Sequence, residues 1–278
     1  MSAGPPPGAE GAGPLRNASP DVTIVIPCSR GRPAGLDGWR GQSGAPRVLL
    51  LCNGGYDGAD VVGLSGVDVR RVAWKGHGRT RQAALADVAT PFVLFTVDDA
   101  VPVGCDGVVR LIDALEAGGW DAVTARQVPP VDADAVTRAR LAAWTPEGEG
   151  PVATDRLDHV CALHRVEVLR TRPLPDVPIA EDWAWAQGWQ GPGRVRAGDR
   201  PRLGYAPAAR VVHGHVRTFR SLLRRTAAEH GVRVACGESP AVPDVRRLLA
   251  ALPGVLGPDV RGALGELLGQ WWAGRRVG

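Results

Sequence analysis

The sequence lacks the features that mark membrane, secreted and fibrous proteins. No stretch reaches the roughly 18 uninterrupted apolar residues that a membrane-spanning helix needs. The first residues show neither the basic start nor the apolar segment of a secretory signal peptide. Glycine and proline are abundant, with 37 and 24 residues, but they follow no collagen period, which excludes a fibrous triple helix. We therefore expect a cytoplasmic protein, at most peripheral to the inner face of a membrane.

Cysteine and lysine are scarce. The five cysteines are widely spaced, odd in number and form no C-x-x-C pair, which favours reduced, mostly buried thiols over a zinc site or a disulfide framework. Lys75 is the only lysine, so arginine supplies nearly all of the basic charge. The net charge is +4, yet acidic residues are interspersed and no run of five like charges occurs. This pattern indicates a mixed, solvated surface, and we expect no nucleic-acid partner.

The residues that are present indicate an α/β fold. Short apolar runs alternate with runs of good helix formers, as in a mostly parallel sheet with helices on both faces. Prolines at 173, 175 and 178 forbid a long helix there, and residues 132–180 otherwise show no clear pattern. The predicted strands are 22–26, 48–51, 67–72, 92–95, 121–126 and 211–212, and the predicted helices are 79–89, 106–117, 181–189 and 217–230.

Two adjacent carboxylates follow the fourth predicted strand. Asp98 and Asp99 follow the apolar run at 92–95 after two intervening residues. Ligands of open α/β sheets bind outside the carboxyl ends of the strands, and adjacent carboxylates repel each other unless a cation or a donor lies between them. The pair therefore indicates a divalent metal that bridges to a diphosphate, or else an aspartate that caps the following turn.

A second acidic pair opens a predicted helix. Glu181 and Asp182 lie where the helix dipole favours anions, so they either stabilise the first turn or present a general base. The tryptophans that follow, Trp183 and Trp185, either flank a sugar ring or pack in the core. Both interpretations of each pair stay open on the residues alone.

Two further segments carry candidate ligand-binding groups. His213 and His215 are one residue apart in an extended segment, so they point the same way as metal or phosphate ligands, or as ordinary strand-end histidines. The glycines of residues 76–82 precede a predicted helix, where a diphosphate could enter and pair with Arg81. This segment lacks the Walker lysine and the full G-x-G-x-x-G spacing.

Taken in chain order, these motifs resemble the inverting glycosyltransferases of family 2, which have the GT-A fold. The resemblance covers about residues 21–225. It rests on the V-I-P strand at 25–27, the N-G turn at 53–54, the helix start at 78–82, the acidic stretch at 97–99 and the E-D-W motif at 181–183. Residues 211–217 are similar to bacterial rhamnosyltransferase-type members.

The resemblance implies a reaction and a site. A sugar would pass from a nucleotide-diphosphate sugar to an acceptor hydroxyl with inversion, with Asp182 as general base and Glu181 orienting the site. Donor binding would fall to Pro27, Ser29, Asn53, Arg81, Asp98 and Asp99, acceptor contact to Trp183 and Trp185, and a manganese or magnesium ion to Asp99, Asp98, His213 and His215. The acceptor itself stays unknown.

Composition and the resemblance together predict a division of the chain. Residues 1–20 form a disordered tail, and 21–215 a catalytic domain with a nucleotide-binding half to about 103 and an acceptor-binding half from about 104. Residues 216–278 form a helical extension through which a homodimer could assemble, because 244–275 predict two amphipathic helices. Two positions depart from the family: Cys52 replaces the aspartate that contacts the nucleotide base, and Gln82 replaces an asparagine.

Two other classes of function stay open. A sugar-phosphate nucleotidyltransferase also uses carboxylate-held magnesium, but it predicts a glycine-rich signature directly after the first strand, which residues 28–32 match poorly. A non-catalytic basic module would instead use the arginines between 217 and 233 to bind nucleic acid or an anionic membrane surface.

Overall fold

The structure, a computed structural model, describes residues 21–189, 191, 200–214 and 219–236, without the side chains of 219–223. The predicted tail at 1–20, His215 and the two helices predicted at 244–275 lie outside these residues. In the described part of the chain, no helix is long and apolar enough to span a membrane.

The strands of the described residues form one sheet with the order β3-β2-β1-β4-β8-β6-β9-β5, in which β7 also pairs with β9. Their bounds are β1 Val22–Cys28, β2 Arg47–Cys52, β3 Val67–Arg71, β4 Phe92–Thr96, β5 Val101–Pro102, β6 Ala122–Val128, β7 Val152–Thr154, β8 Cys161–Arg165 and β9 Leu203–Val212. The helices are α1 Leu36–Arg40, α2 His77–Ala84, α3 Gly107–Ala117, α4 Ala135–Trp144, α5 Val166–Thr171, α6 Glu181–Ala186 and α7 Phe219–Ala235.

The sheet has a parallel side and a mixed side. On the parallel side, β1 runs parallel to β2 and β4, and β2 to β3. On the mixed side, β8 is antiparallel to β4 and β6, while β9 is parallel to β6 and antiparallel to β5 and β7. The ends of β1, β2, β4, β6 and β9 and the start of β8 therefore share one edge, the carboxyl edge.

Both faces of the sheet are buried, which explains why the strands of the parallel side are apolar at successive positions. Ile24, Ile26 and Leu50 face the cluster that contains α1 and α3. Val25 and Leu49 face the opposite cluster, which contains α2, α5 and α6. The carboxyl edge is thus supported by helices on both sides, and the segments that follow its strands carry the candidate site.

The predicted α/β class is confirmed, with local differences. β1 continues through Pro27 to Cys28, because the β1–β4 ladder ends at Val25 and the proline lies beyond it. α2 begins two residues before the predicted helix and ends at Ala84, after which turns lead to Pro91. The segment without a pattern, 132–180, contains α4, β7, β8 and α5.

The last strand, β9, is much longer than the predicted 211–212. Its first half contains glycine, alanine and proline instead of β-branched residues, so it lacks the usual strand pattern. Gly204 is needed there, because a Cβ atom at this position would lie 1.8 Å from the Trp120 ring. Close packing under Trp120 explains a strand that propensity does not predict.

Candidate active site

Three strand ends of the parallel side bring Ser29, Asn53 and Asp98 together at the carboxyl edge. Asn53 is buried and its side-chain amide donates to the Leu51 carbonyl at 3.3 Å. Gly54 holds a positive φ of 64°, and a Cβ there would lie 3.5 Å from Ser29 Cβ. Burial raises the pKa of Asp98, the Asp99 charge adds to this, and the Ser29 backbone N–H opposes it.

A pocket of about 320 Å³ lies beside Asn53, at the ends of β2 and β3. Cys52 lines it, together with Tyr56 and Arg71. Cys52 Sγ lies 3.6 Å from Cys28 Sγ on the neighbouring strand, and burial raises the pKa of both thiols. Cys52, at the position where the resemblance implies an aspartate, is therefore a protonated, apolar wall of this pocket.

Asp99 meets His213 across the carboxyl edge. His213 Nε2 lies 3.6 Å from Asp99 Oδ1. On the other side of the ring, His213 Nδ1 lies 3.0 Å from Gln127 Oε1, and the Gln127 amide donates to Asp158 Oδ2 at 2.6 Å. These hydrogen bonds assign a proton to His213 Nδ1 and turn Nε2 toward Asp99, the orientation found in histidines that ligate metals through Nε2.

The donor atoms of Asp99 and His213 suit a divalent cation, since a carboxylate oxygen and an imidazole nitrogen face each other across a short gap. Asp98 is the preceding residue in the chain. In the described residues, no group of three or more histidine, cysteine or acidic side chains has metal-binding geometry. The arrangement fits a metal held by two side chains and completed by other ligands.

Glu181 lies in a buried ion pair between α2 and α6. Its Oε1 accepts from Arg81 Nη1 at 2.7 Å and from His159 Nδ1 at 3.2 Å, and both charged side chains are about 5% exposed or less. Burial acts to raise the pKa of Glu181, but Arg81 and His159 outweigh it and hold that pKa well below its usual value. Glu181 is therefore ionised throughout the neutral range.

Two buried histidines extend this network. Burial lowers the pKa of both His159 and His164, so both rings are neutral. Because His159 Nδ1 donates to Glu181, its Nε2 accepts from His164 Nε2–H at 3.1 Å. His164 Nδ1, the last atom of the chain, has no hydrogen-bond partner among the described residues. The hydrogen bonds therefore converge on Glu181, which accepts from Arg81 on one side and from the His164–His159 pair on the other.

Asp182, the next residue, is held by backbone groups instead. Its Oδ2 accepts from the His159 N–H at 3.1 Å and its Oδ1 from the Trp183 N–H at 2.7 Å. Burial raises the pKa of Asp182 to about 8, and the charges of Glu181 and Asp158 add to this. Asp182 is a half-buried carboxylate whose basicity lies near neutral pH, as general acid–base chemistry requires.

Local backbone geometry explains how α6 reaches this position. Ala180, immediately before the helix, has a φ of 60°, in the left-handed region that alanine rarely adopts. Gly78 in α2 permits the close approach of α6, because a Cβ there would lie 2.6 Å from the Pro175 carbonyl and 3.1 Å from Glu181 Cβ. The glycine predicted to admit a diphosphate thus serves helix packing.

Two predicted side chains do not face the site. Arg81 was expected at the diphosphate, but it is 3% exposed and its guanidinium is paired with Glu181. Trp185 was expected at the acceptor, but it is fully buried and its indole N–H donates to the Arg172 carbonyl at 2.8 Å. Trp183 is half-buried, and the Arg233 guanidinium lies 5.1 Å from its ring centroid.

The sequence interpretation missed His159, His164, Gln127 and Asp158. Three of them lie in or beside segments without a clear pattern, and no motif joins them. The available signal was His164 in the apolar run Cys161–Leu163, because a polar residue that is buried in a strand must find a partner. That signal indicates burial but does not identify the partner.

Comparisons with solved structures support this fold. The chain is similar to a mannosyltransferase from Pyrobaculum calidifontis in complex with GDP-Man and Mn²⁺, at 17% identity over 96% of this chain and 80% of that one, with a TM-score of 0.58. It is also similar to S. aureus TarS residues 1–349 in complex with UDP, at 11% identity over 84% and 70% of the two chains, with a TM-score of 0.53. No family model and no curated protein matches the sequence. These likenesses establish the Rossmann-like, GT-A-type fold.

Proposed function

We propose that this protein is an inverting, metal-assisted glycosyltransferase that uses a nucleotide-diphosphate sugar. The proposal is carried by the groups at the carboxyl edge of the sheet. The acidic pair Asp98–Asp99 lies there beside His213, and α6 supplies Asp182, a carboxylate with a raised pKa. The similar mannosyltransferase was solved with GDP-Man and Mn²⁺, and TarS with UDP-GlcNAc, which supports a donor of this class. The rhamnosyltransferase-type members of family 2 are the narrower expectation.

On the donor side, Asp99 and His213 would hold a manganese or magnesium ion, with Asp98 beside them. When bound, such an ion stabilises the negative charge that develops on the diphosphate leaving group. Ser29 and Asn53 follow the ends of β1 and β2, against which the nucleotide would lie, and Pro27 lies within β1. Gln127 orients the His213 ring through its hydrogen bond. His215 stays a predicted ligand.

On the acceptor side, Asp182 would accept the proton of the attacking hydroxyl. The hydroxyl oxygen then forms a bond to the anomeric carbon from the face opposite the diphosphate. The bond between that carbon and the diphosphate oxygen breaks, and its electron pair leaves with the diphosphate. One displacement of this kind inverts the anomeric configuration.

Glu181 has a different role from Asp182 in this mechanism. Its negative charge helps to raise the pKa of Asp182, so that the carboxylate of Asp182 is a stronger base. Arg81 and His159 hold Glu181 in place. Arg81 therefore acts through Glu181 in this proposal and does not contact the diphosphate.

The test compares Asp182→Asn with Asp99→Asn. The release of nucleoside diphosphate from GDP-mannose and UDP-GlcNAc measures turnover, and thermal shifts with the same donors and Mn²⁺ measure binding. We expect Asp182→Asn to lose about 10²–10⁴-fold in turnover, because the amide cannot accept a proton, and to keep the thermal shift. We expect Asp99→Asn to lose the part of the shift that depends on Mn²⁺.

Either variant can overturn its assignment. If Asp182→Asn keeps the parental turnover, then Asp182 is only a first-turn acid of α6. If Asp99→Asn keeps the Mn²⁺-dependent shift, the metal is held elsewhere. If neither donor shifts the melting temperature of the parent protein, with or without Mn²⁺, the proposal of a nucleotide-sugar enzyme fails as a whole.

A further inference from the structure

A second pocket, of about 520 Å³, lies on the mixed side of the sheet. It is enclosed by the end of α4, by β7 and by residues 155–158, and Thr124 and Tyr205 also line it. Thr124 follows Ala122 by two residues, so both side chains lie on the same face of β6, and Ala122 packs in the cluster of α6. The pocket and Asp182 are therefore on the same face of the sheet.

The aromatic walls of this pocket are fixed before any ligand binds. The Arg156 guanidinium lies 4.7 Å from the centroid of the Trp144 ring. The Tyr205 hydroxyl donates to the Pro146 carbonyl at 2.5 Å, and the Thr145 hydroxyl donates to the Gln127 carbonyl at 3.0 Å. Rings that are held in this way form a site without a large loss of side-chain entropy on binding.

The polar groups of the lining are mostly engaged with the protein. Asp158 accepts from the Val160 N–H at 2.9 Å as well as from Gln127. Thr124 donates to the Cys161 carbonyl at 3.2 Å, and the Thr154 hydroxyl accepts from the Arg156 N–H at 3.2 Å. Asp155 and Arg156 also line the pocket, and their side chains form an ion pair with each other at 3.8 Å. Most of the remaining wall is apolar or aromatic. A polyhydroxylated sugar would find few partners here, whereas an apolar ring would bury its surface.

The pocket leads to the proposed base through two consecutive residues. Asp158 lines the pocket. The next residue, His159, donates its backbone N–H to Asp182 Oδ2 at 3.1 Å. A molecule in the pocket thus reaches the segment that holds the Asp182 carboxylate. Trp185, the expected acceptor residue, is buried on the core side of α6 and cannot perform this role.

We propose that this pocket is the acceptor site, and that it takes an apolar, ring-bearing alcohol or phenol whose hydroxyl is presented to Asp182. Trp144 and Tyr205 contact the ring of the acceptor. This inference rests on the proposed function, because it assigns the second substrate of the same transfer. It excludes an oligosaccharide as the acceptor that occupies this pocket.

The test uses 7-hydroxycoumarin, a fluorescent phenol with an apolar fused ring, and follows its fluorescence anisotropy without any donor. Two exposed valines provide a matched pair of variants. Val152 lines the pocket and pairs with Tyr205, whereas Val62 lies in the turns between β2 and β3, and their exposures are 53% and 68%. We expect Val152→Trp to weaken coumarin binding at least tenfold by filling the pocket, and Val62→Trp to leave it unchanged.

Thermal shifts with UDP and GDP on the same variants separate this inference from the proposed function. Parental donor shifts in Val152→Trp, together with lost coumarin binding, support an acceptor site. If the parent does not bind 7-hydroxycoumarin, or binds methyl glucoside as well, or if Val152→Trp binds coumarin like the parent, the inference is wrong while the donor shifts still support a glycosyltransferase. If coumarin binds but no nucleotide does, both the acceptor assignment and the proposed function fail.

Discussion

The parallel and mixed sides of the sheet hold their candidate groups in different ways. On the parallel side, Ser29, Asn53 and Asp98 follow strand ends and are placed by short turns and backbone contacts. On the mixed side, Glu181 and His159 are buried and are placed by side-chain bonds between residues 22 to 100 positions apart. The donor groups of the parallel side thus depend on local geometry, whereas His213 and the acceptor-side groups depend on a few long-range polar bonds.

The strongest of these bonds also connects the two sides. Arg81 belongs to α2, which packs under the parallel side, and its partner Glu181 opens α6. The ion pair therefore holds the proposed base in place relative to the donor side. If this comparison is correct, variants of the buried network should have larger effects than matched variants at exposed positions or on the parallel side.

The largest expected effect is that of Arg81→Met. Glu181 would be left as a buried charge without its main partner, which destabilises proteins by about 3–5 kcal/mol. Arg79→Met, two residues away, breaks only the exposed ion pair with Asp176 and should change the free energy of unfolding by at most about 1 kcal/mol. Urea unfolding measures both.

The same experiment has an internal check. Adding Glu181→Gln to Arg81→Met removes the uncompensated charge, so the double variant should recover part of the lost stability. Equal losses in Arg81→Met and Arg79→Met would contradict the distinction between buried and exposed pairs.

The next effect is a pH dependence. The pKa of Asp182 is raised from an ordinary value of 3.8 to about 8, so the folded protein binds a proton that the unfolded chain has released. This contribution to stability is complete below about pH 4 and is lost as the pH rises toward 8. Asp182→Asn lacks this titration, so its stability relative to the parent should increase between pH 5 and pH 8.

The matched variant on the parallel side is Asp98→Asn. Asp98 also has a raised pKa, but the Arg30 charge and the Ser29 N–H oppose the shift, so we expect a smaller increase over the same interval. Urea unfolding of both variants at pH 5 and pH 8 measures this difference. If the difference in stability between Asp182→Asn and the parent does not change between pH 5 and pH 8, the pKa of Asp182 is ordinary.

Turnover of the parent should also fall as the pH drops below about 8, because Asp182 must be ionised to accept a proton.

The same contrast explains what the sequence could predict. The strands of the parallel side are short apolar runs that end in turn residues, and Asn53, Asp98 and Asp99 follow within three residues, so the α/β fold and the position of these side chains at the carboxyl edge were predictable. The E-D-W motif identified Glu181 and Asp182. The roles of their neighbours were not predictable, because Arg81 and Trp185 occur in motifs that suit a ligand as well as a core.

The segment at 132–180 shows why the rest was missed. Its strands β7 and β8 are three and five residues long, and β8 contains a histidine at a buried position. His164 is tolerated there because its ring N–H donates a hydrogen bond to His159, and His159 in turn donates to Glu181. This dependence joins two segments, and a third through the bond from Arg81 to Glu181, so no local window of sequence can contain it.

A third effect concerns the approach of α2 to α6. Gly78→Ala would place a methyl group 2.6 Å from the Pro175 carbonyl, so we expect a loss of about 1–3 kcal/mol in stability. The control is Gly231→Ala in α7, where a Cβ meets nothing within 4 Å. There the higher helix propensity of alanine should stabilise the protein by up to about 1 kcal/mol. Thermal unfolding gives the sign of each change, and a stabilising Gly78→Ala would contradict close packing.

The smallest effect is expected at the two alanines with positive φ, one on each side. Ala45 precedes β2 with a φ of 45°, and Ala180 precedes α6 with a φ of 60°. Glycine adopts this conformation without the penalty of roughly 1 kcal/mol that alanine carries, but it also gives the unfolded chain more freedom, which offsets about 0.4–1 kcal/mol. Both Ala→Gly variants should therefore change stability by less than about 0.5 kcal/mol.

Substitution by valine, a β-branched residue, should distinguish Ala180 from Ala45. Ala180→Val should destabilise the protein and reduce the release of nucleoside diphosphate, because valine resists the left-handed conformation and a shift at 180 displaces Glu181 and Asp182 directly. Ala45→Val should lower stability to a similar degree but leave turnover of the folded protein unchanged, because no proposed acceptor-side group follows it. If both valine variants keep the parental turnover, the conformation of Ala180 does not position the base. If Ala45→Val loses turnover as well, the donor side is as sensitive to distant strain as the acceptor side, and the contrast between the two sides is wrong.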